Sequence, residues 1–136
     1  MESLKFAIRQ MIHASNQELE HFSSLCYAKS FKRKALLSEP EKTANEVFFI
    51  QKGIIRVMIT DIGGTEHTTH FALENQFIAD YRSFLLQVPA AYALQALEDT
   101  DVIVMPREAI EWGYLHLQEG EKLGRTIAEY YFNYLD

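Results

Sequence analysis

The sequence predicts a mainly β domain with helices at both ends. Three observations predict this class. Apolar residues recur at helical spacing before residue 30, short β-rich runs broken by turn residues fill residues 31–105, and an apolar and aromatic stripe at helical spacing follows Pro106. A chain of 136 residues fits one domain with one core. We therefore expect a single domain, with N-terminal helices in residues 1–30, a β region in 31–105 and a helical region in 106–136.

Two helices are predicted at the N-terminus. The first is indicated by four apolar residues at helical spacing, Leu4, Ile8, Met11 and Ile12. Ser15 followed by Glu18 is a capping-box signature that begins the second helix. That helix would bury Leu19, Phe22 and Cys26. Because Cys26 is the only cysteine, the chain can form no internal disulfide, Cys-rich zinc site or all-Cys iron–sulfur cluster, and we interpret it as an inert core thiol.

Short β-rich runs separated by turn residues indicate a series of about eight strands after Phe31. Asp61, Gly63 and Gly64 can adopt the positive φ angles of a tight hairpin, so the strands on either side should pair antiparallel. A short helix is predicted at about residues 81–86, and two further apolar runs follow it at 90–97 and 101–105.

Pro106 ends the β region, because proline suits the first turn of a helix and helix-forming residues follow it. Gly113 and Gly120 weaken the next stretch and predict a break before a final helix at about residues 121–135. The stripe on that helix consists of Leu123, Ile127, Tyr130, Tyr131 and Tyr134.

The charge of the chain restricts its partners. The formal net charge is -6, and the pI is near 5.3, which argues against long-range electrostatic binding to nucleic acid or to an anionic membrane. The N-terminus has no apolar signal region, and no run reaches the roughly 18 apolar residues of a membrane span. We expect a cytoplasmic protein that has no membrane partner.

The order and spacing of several short segments resemble the effector domain of Crp/Fnr-type transcription regulators. These segments are residues 49–53 followed by the strand with Arg56, the turn at 64–66, residues 96–99, and the layout of a phosphate-binding cassette in 76–99. The resemblance spans nearly the whole chain. It implies a double-stranded β-helix, or jelly roll, with N-terminal helices and a C-terminal dimerisation helix. It also implies a ligand-sensing module without catalytic activity.

The cassette departs from the family pattern at the residues that hold cyclic AMP. In binding members a Gly-Glu pair is followed, about ten residues on, by Arg and Ser, and the Arg holds the cyclic phosphate together with backbone amides. Here Ala79 and Asp80 stand at the Gly-Glu position, and Ala90 and Ala91 at the Arg-Ser position. Losing one partner of a buried guanidinium–phosphate pair costs about 2–5 kcal/mol. We therefore expect no cyclic-AMP binding of the usual kind.

The resemblance implies a site for an unknown small-molecule effector, and no cofactor. Its predicted residues are Phe71, Ala79, Asp80, Arg82, Ala90, Ala91 and Tyr92. Arg82 is either a substitute anion partner or a solvated charge on a short surface helix. The aromatics Phe71, Phe77, Tyr81, Phe84 and Tyr92 are either the lining of a pocket or plain core.

The stripe on the final helix allows two interpretations. It either packs back on its own β-roll or pairs with a symmetry mate, as the corresponding helix does in family dimers. We favour a homodimer through this helix, because the stripe is longer than a contact with the domain's own core requires. The resemblance also places DNA reading in a helix-turn-helix domain, and these 136 residues contain no such motif.

The main alternative is a cupin-like metal- or sugar-binding protein or enzyme on the same fold. His67, His70 and Glu74 are the candidate metal ligands. Residues three apart on a strand face opposite sides, so the two histidines should diverge unless a bulge separates them. We therefore expect no metal site. A Gly-x-Ser-x-Gly elbow and a Gly-rich phosphate loop are both absent from the sequence.

A basic cluster consists of Lys29, Lys32, Arg33 and Lys34. It either contacts phosphates or forms the charged outer face of a strand, which is the more common case.

Overall fold

The computed structural model describes residues 1–135, with side chains through residue 129. The helices are α1 (Glu2–Arg9), α2 (Asn16–Ser24), α3 (Tyr81–Leu86), α4 (Arg107–His116) and α5 (Gly120–Leu135). The strands are β1 (Tyr27–Phe31), β2 (Leu36–Ser38), β3 (Glu46–Lys52), β4 (Ile55–Thr60), β5 (Glu66–Ala72), β6 (Phe77–Ile78), β7 (Ala93–Ala96) and β8 (Thr100–Pro106).

The strands form two four-stranded sheets, ordered β1-β8-β3-β6 and β2-β7-β4-β5. Every strand pair is antiparallel. The inner faces supply fully buried residues such as Phe49, Ile55, Leu94 and Ile103. The predicted jelly roll with flanking helices is confirmed.

The N-terminal helices form as the capping box predicts. The Ser15 side chain accepts a hydrogen bond from the Glu18 amide at 3.0 Å, and the Glu18 carboxylate accepts one from the Ser15 amide at 2.9 Å. This satisfies two amide groups that the first turn of α2 would otherwise leave without a partner. Leu19 and Phe22 are buried in the core.

Two expectations for residues 1–37 are wrong. Strand β1 begins at Tyr27, inside the range assigned to helices, because this segment pairs with β8. The sequence of residues 31–37 is one β-rich run and predicts one strand, but Lys34 has a φ of 78° and turns the chain between β1 and β2. The Lys34 amide donates to the Ala96 carbonyl at 2.8 Å, so tertiary pairing holds this turn.

The predicted hairpin between β4 and β5 is confirmed, and a bulge follows it. Gly64 has a φ of 86°, and the Gly64 amide donates to the Asp61 carbonyl at 3.0 Å. Farther along, Met58 lies opposite Thr68 while its neighbour Val57 lies opposite His70. Thr69 is therefore an extra residue, which shifts the side-chain alternation of β5.

The C-terminal region contains the predicted break before the final helix. Helix α4 continues through Gly113, whose lack of a side chain lets Phe22 approach; a Cβ there would lie 3.1 Å from the Phe22 ring. The chain leaves the helix at Leu117 and enters α5 at Gly120. Gly113 therefore serves helix packing and does not end the helix.

The first part of the aromatic stripe packs on its own domain. Leu123 and Ile127 are each only 7% exposed and belong to the core. This is the first of the two arrangements considered for the stripe. Tyr130, Tyr131 and Tyr134 lie outside the described side chains. None of the described helices is long and apolar enough to cross a membrane.

Candidate ligand-binding site

The cassette runs from β6 through α3 to β7. Asp80 directly follows β6 as the N-cap of α3, and Gln87 ends the helix in the left-handed conformation with a φ of 57°. Asparagine, glycine and a few other residues tolerate this conformation, and here the Gln87 amide donates to the Ser83 carbonyl at 2.9 Å. A loop, residues 88–92, then returns the chain beside Asp80.

The Asp80 carboxylate bonds to three backbone amides. Its Oδ1 accepts from Ser83 at 3.1 Å, and its Oδ2 accepts from Ala91 at 3.1 Å and Tyr92 at 3.2 Å. The side chain is buried, with 2% exposure. Bonds from amides to a carboxylate are charge-assisted and therefore stronger than neutral ones. The Asp80 carboxylate thus occupies the amides of Ala91 and Tyr92 in the loop before β7.

Ser83 fixes the position of α3. Its amide bonds to Asp80, and its hydroxyl donates to the Val88 carbonyl at 2.6 Å. The same oxygen accepts a hydrogen bond from the Ala44 amide at 2.8 Å. The residue is buried, and it connects the helix to the loop before β7 and to the segment before β3. Its role could not be predicted from the sequence, because a serine in a short helix gives no signal of its own.

Arg107, at the start of α4, also supports the cassette. Its guanidinium lies 4.1 Å from the centre of the Phe84 ring. Its Nη2 donates to the Phe84 carbonyl at 2.7 Å and to the Ala44 carbonyl at 3.2 Å. These contacts satisfy a carbonyl at the C-terminal end of α3. No local pattern in the sequence marks this role of Arg107, because Phe84 is 23 residues away.

The three alanines of the predicted site offer no charge to a ligand. Ala79 is fully buried, and Ala90 is 5% exposed. The Ala90 backbone is already bonded on both sides, since its amide donates to the Lys42 carbonyl and its carbonyl accepts from the Glu41 amide. Ala91 is exposed, and its amide is the one bonded to Asp80.

Two further residues of the predicted site, Arg82 and Phe71, are exposed to solvent. Arg82 is exposed, and among the described residues it makes no hydrogen bond or ion pair, as a solvated surface charge would. Phe71 was expected in a pocket but is 51% exposed. It lies opposite Arg56 in β4, on the outer face, because its neighbour Ala72 takes the inner face of the sheet. Tyr92 is half-buried and packs against the core.

A cavity of about 290 Å³ lies beside Asp80. Besides Asp80 it is lined by the charged residues Glu39, Lys42 and Glu46. Lys42 forms an ion pair with Glu39, and Glu46 accepts a hydrogen bond from the Tyr27 hydroxyl at 2.9 Å. Three carboxylates and one ammonium therefore surround this space. An anionic ligand would meet net repulsion there.

The predicted lining aromatics separate into two groups. Phe77, Tyr81 and Phe84 line a second cavity, which lies between α3 and the helices α4 and α5. Phe71 and Tyr92 do not line it. Phe77, Tyr81 and Phe84 therefore face the C-terminal helices.

The two histidines lie on the same face, contrary to expectation. His67 is opposite Ile59 and His70 opposite Val57, because the bulge at Thr69 restores their alignment. His67 bonds to Asp61, with 2.7 Å between Nε2 and Oδ2, and this bond lowers the pKa of Asp61. His70 is half-buried, and burial lowers its pKa. The described residues contain no group of three His, Cys, Asp or Glu side chains arranged to hold a metal ion.

Cys26 lies two residues beyond the end of α2, not on the helix as expected, yet it is buried. Its Sγ donates to the Phe22 carbonyl at 3.4 Å, and burial raises its pKa to about 12. The thiol is therefore protonated at neutral pH, and it lacks the thiolate character of a nucleophile.

The basic cluster forms a charged outer surface. Lys29 lies 4.9 Å above the Phe31 ring, and Lys32 is 3.8 Å from the Asp99 carboxylate. All four basic side chains of the cluster are exposed. Asp99 also accepts from the Arg33 backbone amide, and its ion pair with Lys32 partly neutralises the cluster.

Comparison with known proteins agrees with the fold. Residues 28–114, more than half of the chain, match the family model of the cyclic nucleotide-binding domain. The chain therefore belongs to the cyclic nucleotide-binding domain family. No curated protein sequence matches the chain significantly.

Solved structures share the fold at low sequence identity. A cyclic nucleotide-binding domain from Methylobacillus flagellatus is 16% identical, with a TM-score of 0.83, over 97% of this chain and 78% of that one. The sensor domain of the transcriptional regulator DNR from Pseudomonas aeruginosa is 14% identical, with a TM-score of 0.72, over 93% and 81%. The catabolite activator protein of Thermus thermophilus is 18% identical, with a TM-score of 0.71 over 88% of this chain. The chain spans only 54% of that protein.

Proposed function

We propose that this domain is the ligand-sensing and dimerisation module of a Crp/Fnr-type transcription regulator, and that it does not bind cyclic AMP in the usual way. The observation that carries the proposal is that the Asp80 carboxylate accepts hydrogen bonds from the backbone amides of Ala91 and Tyr92. In binding members of the family, backbone amides of this loop and an arginine hold the phosphate. Here the Asp80 carboxylate already accepts hydrogen bonds from two of these amides, and Ala90 stands at the arginine position.

Two further terms disfavour a cyclic phosphate. A ligand phosphate would have to displace Asp80 and leave its carboxylate without these amides, with a penalty of about 1–3 kcal/mol for each buried hydrogen bond lost. The missing arginine removes about 2–5 kcal/mol more. Together they correspond to at least about a hundredfold loss of affinity, since 1.4 kcal/mol is a factor of ten.

We expect titration calorimetry to detect no saturable binding of cyclic AMP or cyclic GMP at micromolar concentrations. The titration should be repeated at millimolar nucleotide, with circular dichroism as the control that the protein is folded. A saturable micromolar isotherm would contradict the proposal, because it would mean that other groups replace the arginine and that Asp80 moves aside.

The dimerisation part of the proposal rests on the distal half of α5. Since Leu123 and Ile127 pack on their own domain, the interface would consist of Tyr130, Tyr131 and Tyr134. The exposed side of α5 before residue 130 carries charges such as Lys122 and Arg125, which favour solvent. A two-fold dimer would bring the tyrosines of two copies together.

We expect light scattering to give a dimer mass for the unmutated chain and a monomer mass for Tyr131→Glu combined with Tyr134→Glu, because carboxylates would be buried in both copies. Arg125→Glu is the matched control, since this side chain is 69% exposed on the same helix, and it should stay dimeric. A monomeric unmutated chain, or a dimer that both changes leave intact, would exclude this interface.

DNA contact would come from a separate helix-turn-helix domain of the regulator. The net charge of -6 gives these residues no long-range attraction to the phosphate backbone. The exposed basic cluster near Lys32 is small and is partly neutralised by Asp99.

A further inference from the structure

The second cavity is lined by cassette residues other than Asp80. It has a volume of about 200 Å³ between the β-roll, α3 and the paired helices α4 and α5. The β-roll contributes Val47, Phe77 and Met105, α3 contributes Phe84, and α5 contributes Leu123 and Ile127. We propose that this cavity binds a small, uncharged apolar molecule, of the size of an alkylbenzene, as the effector of the domain. The role as effector rests on the sensing function proposed above, whereas the binding itself does not.

The size and chemistry of the cavity define the ligand class. An apolar protein cavity of about 150 Å³ is large enough to bind benzene and stays dry when it is empty. The present cavity is larger, so it has space for one ring and a few further carbons. Its surface is almost entirely carbon. None of the described residues that line the cavity is charged, so a charged ligand would lose its hydration without gaining a partner among them, which disfavours it.

Gly124 keeps one side of the cavity open. A Cβ at this position would meet only the Tyr114 ring, at the ordinary contact distance of 3.7 Å. The other two lining glycines differ, because a Cβ at Gly120 would lie 2.2 Å from the Gly113 carbonyl oxygen, and one at Gly113 would press on Phe22. Helix packing thus requires Gly113 and Gly120 but not Gly124. Alanine would also favour the helix more at position 124.

Two residues that line the cavity, one from α3 and one from α4, are exposed to solvent. Leu85 and Tyr114 both line it, and each is 55% exposed. Exposed apolar side chains at the mouth of an apolar cavity give a ligand a path from solvent to the interior.

The position of the cavity connects sensing to the C-terminal helix. A ligand there would contact Phe84 of the cassette helix and Leu123 and Ile127 of α5 at the same time. Because such a ligand would contact both the β-roll and α5, it would stabilise this helix in its position against the β-roll. A molecule that binds only the docked state shifts the population toward that state.

The test uses toluene, ethylbenzene and n-butylbenzene as probes, with benzoate as the charged control, in ligand-observed NMR and thermal unfolding of the whole chain. We expect saturable binding of the alkylbenzenes, a rise in the unfolding temperature and no binding of benzoate. Gly124→Leu should fill the space and weaken binding at least about tenfold. Gly124→Ala, which makes only the 3.7 Å contact, should keep the affinity within about threefold.

If Gly124→Leu does not fold, Ala128→Leu offers the same test from the next turn of α5, because Ala128 also lines the cavity. The proposal is overturned if no alkylbenzene binds saturably, or if the filled variant binds as well as the unmutated chain. It is also overturned if binding disappears as the protein concentration rises, since a second copy would then occupy the cavity. Cyclic-nucleotide calorimetry is a separate readout, so failure of the proposed function would not be confused with failure of this site.

Discussion

Replacing Asp80 with Ala should lower the free energy of unfolding by about 2–4 kcal/mol. The change removes the acceptor of three backbone amides, those of Ser83, Ala91 and Tyr92. The Ser83 amide is buried and would be left without a partner, whereas water can reach the exposed Ala91. This partial access to water is why the expected loss is smaller than that of three fully buried charge-assisted bonds. Urea unfolding followed by circular dichroism measures it.

Asp80→Asn is the matched variant, because it keeps the shape of the side chain and one acceptor oxygen but removes the charge. Its amide group would face a backbone N–H that needs an acceptor. We therefore expect a loss of stability between zero and that of Asp80→Ala. If Asp80→Ala unfolds within about 0.5 kcal/mol of the unmutated protein, then the carboxylate does not hold the loop, and the explanation of the cassette is wrong.

Gly53→Ala should be the other strongly destabilising substitution, by about 2–5 kcal/mol. Gly53 has a φ of 116°, which side-chain-bearing residues rarely adopt. A Cβ there would lie 2.3 Å from the Thr100 Oγ1 and 2.9 Å from the Thr100 Cα. Since Thr100 is fully buried at the start of β8, neither group can move away without shifting the strand. Urea unfolding again gives the difference.

Gly64→Ala separates the two causes of the expected loss at Gly53, which are the strain of a positive φ and the clash with Thr100. Gly64 has a similar positive φ, 86°, but no atom lies within 4 Å of the position of its Cβ. It should therefore show only the backbone strain, about 1 kcal/mol. Equal losses for the two variants would exclude the clash with Thr100. This close approach also explains physically why a glycine follows Lys52 in the segment that carries the family resemblance.

The elements that the sequence predicted well are those with local causes. The capping box at Ser15, the hairpin turn at Gly64 and the helix start after Pro106 depend on residues within four positions of each other. The features that it predicted wrongly depend on distant partners. The turn at Lys34 is held by Ala96, and the bulge at Thr69 follows from pairing with β4.

The candidate site shows the same division. The positions of Asp80 and Ala90 followed from the order of residues in the cassette, but the bond from Asp80 to Ala91 and Tyr92 depends on how a loop folds back eleven residues later. Arg107 contacts Phe84 across 23 residues, and no local pattern marks such a pair. Similarly, the spacing of Leu123 and Ile127 predicted an apolar face but did not indicate which surface covers it.

The role of Asp80 can be tested by recording the NMR spectrum of the backbone amides of Ala91 and Tyr92 during a titration with cyclic AMP. These two amides are the donors to the Asp80 carboxylate. If the internal carboxylate holds the anion position, their chemical shifts will stay unchanged up to millimolar nucleotide, and in Asp80→Asn they will move without any ligand. A saturable shift of both amides with cyclic AMP in the unmutated protein would contradict the account, because it would place the ligand phosphate where we place Asp80.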